Sequence, residues 1–328
     1  MMKILYSIQG TGNGHLSRAH YIYKILKKIT KNIDVLIAGN NYSLKPNIPI
    51  KYKISGISFV IVNGRIDYLK TISNFDLVKP FWDQKKIPFK SYDLIISDFE
   101  PISAWSSLRF SIPSIHISHQ ASFIEKNVPR PTQKNLMGEY VMKYFCPTND
   151  YIGLHYRNYG DNISEPIIQN IHTLKKNEMR EYISVYLPWF EDDYLISFFK
   201  NIDNIKFHIF SKNVDKVVKK GNCLLKPVNQ KTFYENLIQC KGVITNAGFQ
   251  TTSESLHLGK RLLVIPVKNQ YEQECNVAAL DKIGIHSIKN LEFNEIENIH
   301  KWLDSNPIKL NFKNNLEYLL KKKIDKLL

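Results

Sequence analysis

The residues most suited to chemistry lie in one stretch of the chain, from Gly242 to Leu280. Its pattern predicts a strand, a glycine-containing turn, a short helix, a second strand, a polar loop and a further helix. The start of a helix presents about four unpaired backbone N–H groups and the positive end of the macrodipole, and glycine lets a phosphate approach closely. We therefore predict a nucleotide-diphosphate site in the turn and the first helical residues, which are Gly248, Phe249, Gln250, Thr251 and Thr252.

Polar side chains after this turn can hold the sugar parts of such a ligand. Glu254 can offer two carboxylate oxygens to a vicinal diol such as a ribose, and Gln270, Gln273 and Asn276 follow in the next loop and helix. Side-chain amides can meet sugar hydroxyls without selecting for charge. Taken alone, Glu254 is better explained as an acidic residue in the first turns of a helix. The combination of all these residue types across one β-α-β-α unit favours a binding site.

A second candidate is the glycine loop Gly10-Thr11-Gly12-Asn13-Gly14-His15, which follows a predicted strand and precedes a predicted helix. A dinucleotide fingerprint, G-x-G-x-x-G, requires glycine where His15 stands. The second predicted strand ends in Gly39-Asn40 rather than in the acidic residue that holds an adenosine ribose. The loop also lacks the GK[ST] ending of a P-loop. These differences argue against an NAD site and against a P-loop site.

His15 itself offers a different chemistry. Open α/β folds bind ligands at the carboxyl ends of parallel strands, and an imidazole in that position suits a general base that removes a proton from a hydroxyl. Asp98 ends another strand of the same predicted sheet and can orient the second ring nitrogen. The alternatives are a helix cap or a hydrogen-bonded loop residue for His15, and a helix cap for Asp98. We predict His15 and Asp98 as catalytic residues.

The acceptor side or cleft is predicted to include Gly12, Asn13, Gly14 and His119, which lie at the ends of predicted strands. Strand alternation places His116 and His119 on opposite faces, so we expect no metal site from this pair. A pair of adjacent acidic residues, Asp192-Asp193, lies at a predicted helix start, where negative charge favours the macrodipole. We expect neither a metal nor a cofactor.

These residues require a scaffold of alternating strands and helices, and the chain provides it twice. The predicted strands of the first half are 4–8, 34–38, 59–62, 93–97, 112–118 and 151–154, and the alternation restarts after residue 178. The fold class is therefore α/β, with a doubly wound, Rossmann-like parallel sheet in each half. We predict an N-terminal domain over 1–165, a C-terminal domain over 166–308 and a C-terminal helical segment over 309–328.

Composition limits the class of protein. The 328 residues contain 43% hydrophobic residues, carry a formal charge of +15 and include four cysteines without CxxC spacing. No run reaches the roughly 18 apolar residues of a membrane span, and Met1 to Tyr6 leads directly into a strand, so we expect a cytoplasmic protein without a signal peptide. Three explanations of the positive charge stay open, namely attraction to an anionic membrane surface, attraction to an acidic small molecule, and the lysine-rich composition that an A+T-rich genome encodes. The sequence contains no recognised nucleic-acid-binding module, which argues against nucleic acid as a partner.

The stretch from Asn246 to Leu280 resembles the donor-nucleotide signature of GT-B glycosyltransferases. It is most similar to the branch that contains the peptidoglycan enzyme adding N-acetylglucosamine to a lipid-linked acceptor. That signature runs from a glycine-rich turn through Thr, Glu, Gly and Pro to Q-x-x-N-A. Two residues depart from it, since Ala247 replaces a glycine and Val277 replaces an alanine. The matching positions are Gly248, Thr251 or Thr252, Glu254, Gly259, Pro266, Gln273 and Asn276.

The N-terminal loop ending in His15 resembles the glycine loop of the same branch, and Asp98 is more loosely similar to the aspartate of related plant-type transferases. The resemblance implies two Rossmann-like domains facing a cleft, with a tail helix that crosses back to the first domain. It further implies that Glu254 holds the ribose of a UDP-sugar, that the backbone of 248–252 holds the diphosphate, and that Gln273 and Asn276 face the transferred sugar.

The implied reaction is a single inverting displacement on a glycan, lipid-linked or small-molecule hydroxyl acceptor, without a metal, in which His15 takes the acceptor proton. The basic surface would then hold the enzyme at an anionic membrane. Two alternatives stay open. A nucleotide-sugar 2-epimerase shares the fold but expects a Gly-Thr-Arg-Pro-Glu type of first loop, which Gly10 to His15 is not. The second alternative is a protein that binds a nucleotide sugar or a polyanion without catalysis.

Overall fold

The computed structural model describes residues 2–11, 13–42, 44, 46–57, 61–62, 65–66, 85–168 and 180–328. These residues form two seven-stranded sheets, one in each half of the chain, and a separate two-stranded hairpin. All neighbouring strands of the two large sheets are parallel except for one pair at the edge of the second sheet. The predicted architecture of two Rossmann-like parallel sheets is therefore confirmed.

The strands of the first half are β1 (Ile4–Thr11), β2 (Ile33–Asn41), β3 (Tyr52–Ile54), β4 (Ile61–Val62), β5 (Arg65–Ile66), β6 (Leu94–Asp98), β7 (Ser114–Ser118), β8 (Asp150–Leu154) and β9 (Ile163–Ser164). β4 and β5 form the hairpin, and the sheet order is β3-β2-β1-β6-β7-β8-β9. The strand order reverses between β1 and β6. Such a switch point opens a crevice at the carboxyl ends of the two strands.

The helices of the first half are α1 (Asn13–Ile29), α2 (Pro101–Arg109) and α3 (Leu136–Tyr144), with 3-10 turns at Phe89–Ser91 and Gln120–Ile124. In α1 the apolar residues recur at helical spacing and are buried, whereas Lys27 and Lys28 occupy the last turn, where they favour the dipole. α2 begins sharply because Pro101 stands in its first turn and the carboxylate of Glu100 accepts hydrogen bonds from two backbone N–H groups.

The second half contains β10 (Tyr182–Tyr186), α4 (Asp192–Phe199), β11 (Lys206–Ser211), β12 (Val218–Lys220), β13 (Cys223–Pro227), α5 (Gln230–Gln239), β14 (Gly242–Thr245), α6 (Phe249–Leu258), β15 (Arg261–Val264), α7 (Tyr271–Asp281), β16 (His286–Ser287), a 3-10 turn (Phe293–Glu295), α8 (Ile296–Leu303) and α9 (Leu316–Leu327). The sheet order is β12-β13-β11-β10-β14-β15-β16, and β12 pairs antiparallel with β13.

One predicted strand lies outside the first sheet. Ile61–Val62, from the predicted strand 59–62, is a strand, but among the described residues it pairs with Arg65–Ile66 in the hairpin. The third strand of the first sheet is Tyr52–Ile54, which was not predicted. The sequence signal at Tyr52–Ile54 is weak because an edge strand of three residues buries only one side chain, Ile54. Residues 59 and 60 lie outside the described residues, as does most of the predicted boundary segment after Ile168.

The C-terminal helix α9 contacts the first half of the chain. Lys323 is buried, and its Nζ donates hydrogen bonds to Asp150 Oδ1 at 2.5 Å and Asn162 Oδ1 at 2.7 Å. On the exposed side Lys28 Nζ lies 2.6 Å from Glu317 Oε2. Apolar side chains of α9 join the same core as β1 and α1. The limits proposed for the domains, at 165 and 308, stay predictions.

Candidate active site

Three predicted site residues lie at one edge of the first sheet. β1, β6 and β7 are neighbours in it, and all three run parallel, so their carboxyl ends meet at the same edge. His15 lies in the first turn of α1, after β1; Asp98 is the last residue of β6; and His119 follows β7 directly. The topology therefore brings together residues that are more than 80 positions apart in the chain.

His15 and Asp98 are in direct contact. His15 Nδ1 lies 2.6 Å from Asp98 Oδ1, and the side chain of His15 keeps 10% exposure while that of Asp98 has none. A carboxylate that accepts a hydrogen bond from Nδ1 leaves Nε2 unprotonated and able to take a proton. The pair has the composition and the geometry of a general base with its orienting group.

A third charged residue, Arg18, completes this cluster, and the sequence analysis missed it. Arg18 Nε donates to Asp98 Oδ2 at 2.8 Å, and Arg18 Nη2 donates to Asp98 Oδ1. Nη2 also lies 2.7 Å from His15 Nδ1. Burial by itself raises the pKa of Asp98, but the charge of Arg18 and the contact with His15 together hold that pKa below its ordinary value. Asp98 therefore stays ionised although it is buried.

Phe99, which follows Asp98, adopts an unusual backbone conformation beside His15. Its φ is +56°, in the left-handed region, which costs a bulky residue roughly 1–3 kcal/mol. This conformation places the Phe99 ring parallel to the His15 ring, with centroids 6.2 Å apart, and 5.8 Å from the ring of His116. Burial lowers the pKa of His116 to about 3, so this histidine is neutral. Backbone strain of this kind is common at active sites and ligand-binding sites.

The remaining predicted cleft residues have different surroundings. Gly12 lies outside the described residues. Asn13 begins α1, and its Oδ1 accepts a hydrogen bond from Leu44 N at 3.1 Å. A Cβ atom added to Gly14 would meet no atom of the described residues within 4 Å, so among these residues the space beside the α-carbon of Gly14 is open. His119 is buried, and its ring stacks on that of Phe249, with centroids 4.0 Å apart.

On the C-terminal side, the turn that was predicted to bind phosphate lies at the amino end of α6. Gly248 is the N-cap of α6, with extended backbone angles, and a Cβ added there would meet no atom of the described residues within 4 Å. Among the described residues, the space beside the α-carbon of Gly248 is therefore open. Thr251 is half-buried, whereas Thr252 is buried and its Oγ1 lies 2.7 Å from the hydroxyl of Tyr156. Phe249 and Thr252 thus connect α6 to the first half of the chain.

Glu254 is buried one turn further along α6. Its Oε1 accepts hydrogen bonds from Tyr234 Oη at 2.9 Å and from Gln250 Nε2 at 2.6 Å. Burial raises the pKa of Glu254 to about 7, and these two donors oppose the rise. Both of these donors are neutral side chains, and a ligand with hydroxyl groups can offer the carboxylate equivalent hydrogen bonds.

The three predicted sugar-binding amides all have partners within the protein. Asn276 Oδ1 lies 2.6 Å from His119 Nε2, and Asn276 Nδ2 donates to the carbonyl of Ala247 at 2.9 Å. Gln273 Oε1 accepts from Val267 N, and Gln273 Nε2 donates to Gln270 Oε1. The His119–Asn276 bond joins the edge of the first sheet to α7. A role for these amides toward a sugar stays a prediction.

Comparison with known proteins decides the family. A family model described as glycosyl transferase family 1 matches residues 2–307, which is most of the chain. The chain belongs to glycosyl transferase family 1. The prediction of a glycosyltransferase from the sequence is therefore confirmed, and the cluster at His15 belongs to an enzyme that transfers sugars.

Solved structures similar to this glycosyltransferase share its fold. The glycotransferase of kitacinnamycin has a TM-score of 0.60 and 12% identity over 99% of this chain and 94% of its own. Arabidopsis thaliana UGT89C1 in complex with UDP has a TM-score of 0.60 and 13% identity, over 100% and 94%. Acinetobacter baumannii MurG has a TM-score of 0.55 and 12% identity, over 98% and 93%. These relationships establish the GT-B fold. Curated protein sequences give no match.

Two further observations bear on the glycosyltransferase. A cavity of about 610 Å³ borders the segment before β6 and the end of α2, and its lining includes Lys85, Phe89, Lys90 and Arg109. This position is away from the carboxyl ends of the strands, where His15 lies. Within the described ranges, no cluster of three or more His, Cys, Asp or Glu side chains has a metal-binding arrangement, and no helix is both long and apolar enough to cross a membrane.

Proposed function

We propose that this glycosyltransferase moves a sugar from a UDP-sugar to a hydroxyl acceptor with inversion at the anomeric carbon. The observation that best supports the proposal is the 2.6 Å contact between His15 Nδ1 and Asp98 Oδ1, on the sheet edge that packs against α6. His15 Nε2 would take the proton of the acceptor hydroxyl while the hydroxyl oxygen attacks the anomeric carbon of the donor sugar. The bond between the anomeric carbon and the diphosphate oxygen then breaks, and its electron pair leaves with UDP.

The donor would lie over the amino end of α6. The space beside the α-carbon of Gly248 is open among the described residues and would admit the diphosphate next to the first backbone N–H groups of α6, whose dipole would stabilise the charge that develops on the leaving group. Glu254 would exchange Tyr234 or Gln250 for the hydroxyls of the ribose. Because the helix terminus supplies a positive field, we propose transfer without a metal. Full activity in the presence of EDTA is expected, and restoration by a divalent cation would contradict this part.

The anomeric configuration of the product tests inversion. UDP-glucose and UDP-N-acetylglucosamine, both α-linked, are incubated with the enzyme and water as the acceptor, and the released sugar is followed by proton NMR before it mutarotates. The proposal predicts that the β-anomer appears first. Initial release of the α-anomer contradicts inversion. Conversion of the sugar at C2 instead of release would favour the 2-epimerase, and binding of UDP without any turnover would favour a binding protein.

For the acceptor side, we propose contact with an anionic membrane surface at α3. Leu136 and Tyr140 are 82% and 62% exposed, and exposed Lys134 and Lys143 flank them. Apolar and aromatic side chains bordered by lysines suit the interface of an anionic bilayer. Sedimentation with phosphatidylglycerol vesicles should be lost in Leu136→Ser/Tyr140→Ser and kept in the exposed control Tyr318→Ser. Equal sedimentation of both variants would contradict this surface.

A further inference from the structure

Arg18 is a buried cation on a largely apolar helix face. It lies one turn after His15 in α1, is only 3% exposed, and shares its face with Ala19 and Ile22. Burial of a guanidinium in such a place is unfavourable unless it is paired with good geometry. Its partner is Asp98, which it meets through two nitrogens on two different oxygens. The fork-shaped contact fixes the plane of the carboxylate.

The contact determines how Asp98 meets His15. Arg18 Nη2 and His15 Nδ1 both converge on Asp98 Oδ1. A guanidinium has no acceptor, so the 2.7 Å approach of Nη2 to Nδ1 is compatible with two arrangements of hydrogen atoms. If Nη2 donates to Nδ1, Nε2 carries the ring proton and cannot be a base. If both nitrogens donate to Oδ1, Nε2 has a free lone pair.

The two-nitrogen contact of Arg18 with Asp98 favours the second arrangement, because it directs the guanidinium hydrogens at the carboxylate. In this arrangement the ring proton of His15 is on Nδ1, which donates to Asp98 Oδ1, and Nε2 keeps a free lone pair.

We propose that Arg18 is a positioning residue of the transfer reaction, which holds Asp98 Oδ1 toward His15 Nδ1 and so keeps the ring proton on Nδ1 and Nε2 free. The inference rests on the proposed role of His15 as the base. It assigns to the chain a cluster of three residues, His15, Asp98 and Arg18, instead of a pair.

Other titratable groups packed around the cluster are Tyr6 on β1, Glu100 after β6, His116 on β7 and Cys146 after α3. Burial raises the pKa of Tyr6 and of Cys146 well above their ordinary values and lowers that of His116 to about 3, so these three keep their protonation state near neutral pH. Glu100 has a raised pKa, and its carboxylate caps α2.

The test compares Arg18→Gln and Arg18→Lys with the control Arg157→Gln, which changes an exposed arginine. For Arg18→Gln, we expect kcat for UDP-sugar turnover to fall by roughly 10- to 100-fold, as for a displaced catalytic group. Donor KM should change less than about twofold. Arg18→Lys keeps the charge but loses the two-nitrogen contact with Asp98, so its kcat should also fall while donor KM stays near that of the wild type.

A spectroscopic measurement accompanies the kinetics. In ¹⁵N-labelled wild type, the ring of His15 should show a protonated Nδ1 and an unprotonated Nε2, and Arg18→Gln should show a mixture of tautomers. A wild type with protonated Nε2 overturns the proposal. So does Arg18→Gln with an unchanged kcat, or with a lower kcat and the same His15 tautomer as the wild type. If His15→Ala keeps full activity, the proposed function is contradicted. If His15→Ala is inactive while Arg18→Gln has normal activity, only the proposed role of Arg18 is contradicted.

Discussion

The two sides of the candidate site hold their polar groups in different ways. On the first sheet, His15, Asp98 and Arg18 form a buried cluster with ionic contacts. On the second half, Glu254 has a pKa raised to about 7, and the amide of Asn276 is bonded to neutral groups, His119 and a backbone carbonyl. The side chains on the first sheet are held in place by ionic contacts before any ligand binds. The polar groups of the second half form hydrogen bonds with neutral groups, which a ligand can replace.

This difference separates two kinds of effect. A group that is fixed before binding acts on the chemical step, so its loss should lower turnover and leave donor affinity unchanged. A group that exchanges an internal partner for the ligand acts on binding, so its loss should change donor affinity, its pH dependence or the stability of the protein. Four variants can break or sharpen this comparison.

The largest effect is expected at His15. His15→Ala should lower kcat by about 10²–10⁴-fold, the usual contribution of a general base, because it removes the imidazole that Asp98 orients. Donor KM should change little. Steady-state kinetics of UDP release measures both, and the exposed His286→Ala serves as the control. A large rise in KM with unchanged kcat would place His15 on the donor side.

Asp98→Asn should be the most destabilising of the four. It leaves the guanidinium of Arg18 buried without a charged partner, which typically costs about 3–5 kcal/mol. The double variant Asp98→Asn/Arg18→Met removes the charge and should recover much of that loss. Urea unfolding of the two variants measures the difference. Equal stability of the single and double variants would show that the charge of Arg18 is not what destabilises Asp98→Asn.

Glu254→Gln should change how stability depends on pH. Folding raises the pKa of Glu254 from 4.5 to about 7, so its contribution to stability is fully present below pH 4.5 and is lost as the pH rises to about 7. The loss amounts to about 3 kcal/mol, since each pKa unit corresponds to about 1.4 kcal/mol. Glu254→Gln should therefore gain stability relative to the wild type as the pH rises from 5 to 8.

Urea midpoints at pH 5 and pH 8 measure this gain, with the exposed Glu181→Gln as the control. The same pair of proteins tests binding. Affinity for UDP-glucose, which has no phosphate monoester to titrate, should rise through pH 7 in the wild type as the carboxylate ionises, and it should be flat in Glu254→Gln. A parallel rise in both proteins would remove Glu254 from the donor site.

The smallest effect is expected at Asn276. Asn276→Ala leaves His119 Nε2 and the Ala247 carbonyl without their partner, which should cost about 1–3 kcal/mol of stability. Because this bond also joins the first sheet to α7, donor KM should rise while kcat changes little. Thermal unfolding and kinetics, with Asn298→Ala as the exposed control, measure the two effects. A loss confined to kcat would place Asn276 with the fixed cluster.

Much of the fold could be predicted because each half alternates buried strands with amphipathic helices. β1 and α1 have unambiguous patterns, and the carboxyl ends of parallel strands must share one edge, which placed His15 near Asp98. β3 was missed because three residues at a sheet edge carry too little apolar signal. The hairpin partners β4 and β5 are two residues long, which is below what alternation can resolve.

Within the site, side-chain partners were harder to predict than positions. Arg18 was missed because basic residues on a lysine-rich helix are usually exposed, although its spacing of three from His15 and its place beside Ala19 indicated the buried face. The contacts of Glu254 with Tyr234, and of Asn276 with His119, join separate elements. Only the packing of α5 on α6, and of the first sheet on α7, determines them.

Binding of UDP by three proteins tests the central claim most directly. Differential scanning fluorimetry is run on the wild type, His15→Ala and Glu254→Ala, with ADP and NAD as comparison ligands. UDP should stabilise the wild type and His15→Ala equally, by about 2.7 kcal/mol at a hundredfold excess over Kd, and Glu254→Ala should not respond. Stabilisation of Glu254→Ala equal to that of the wild type, or a response to NAD alone, would contradict a UDP-sugar site at α6.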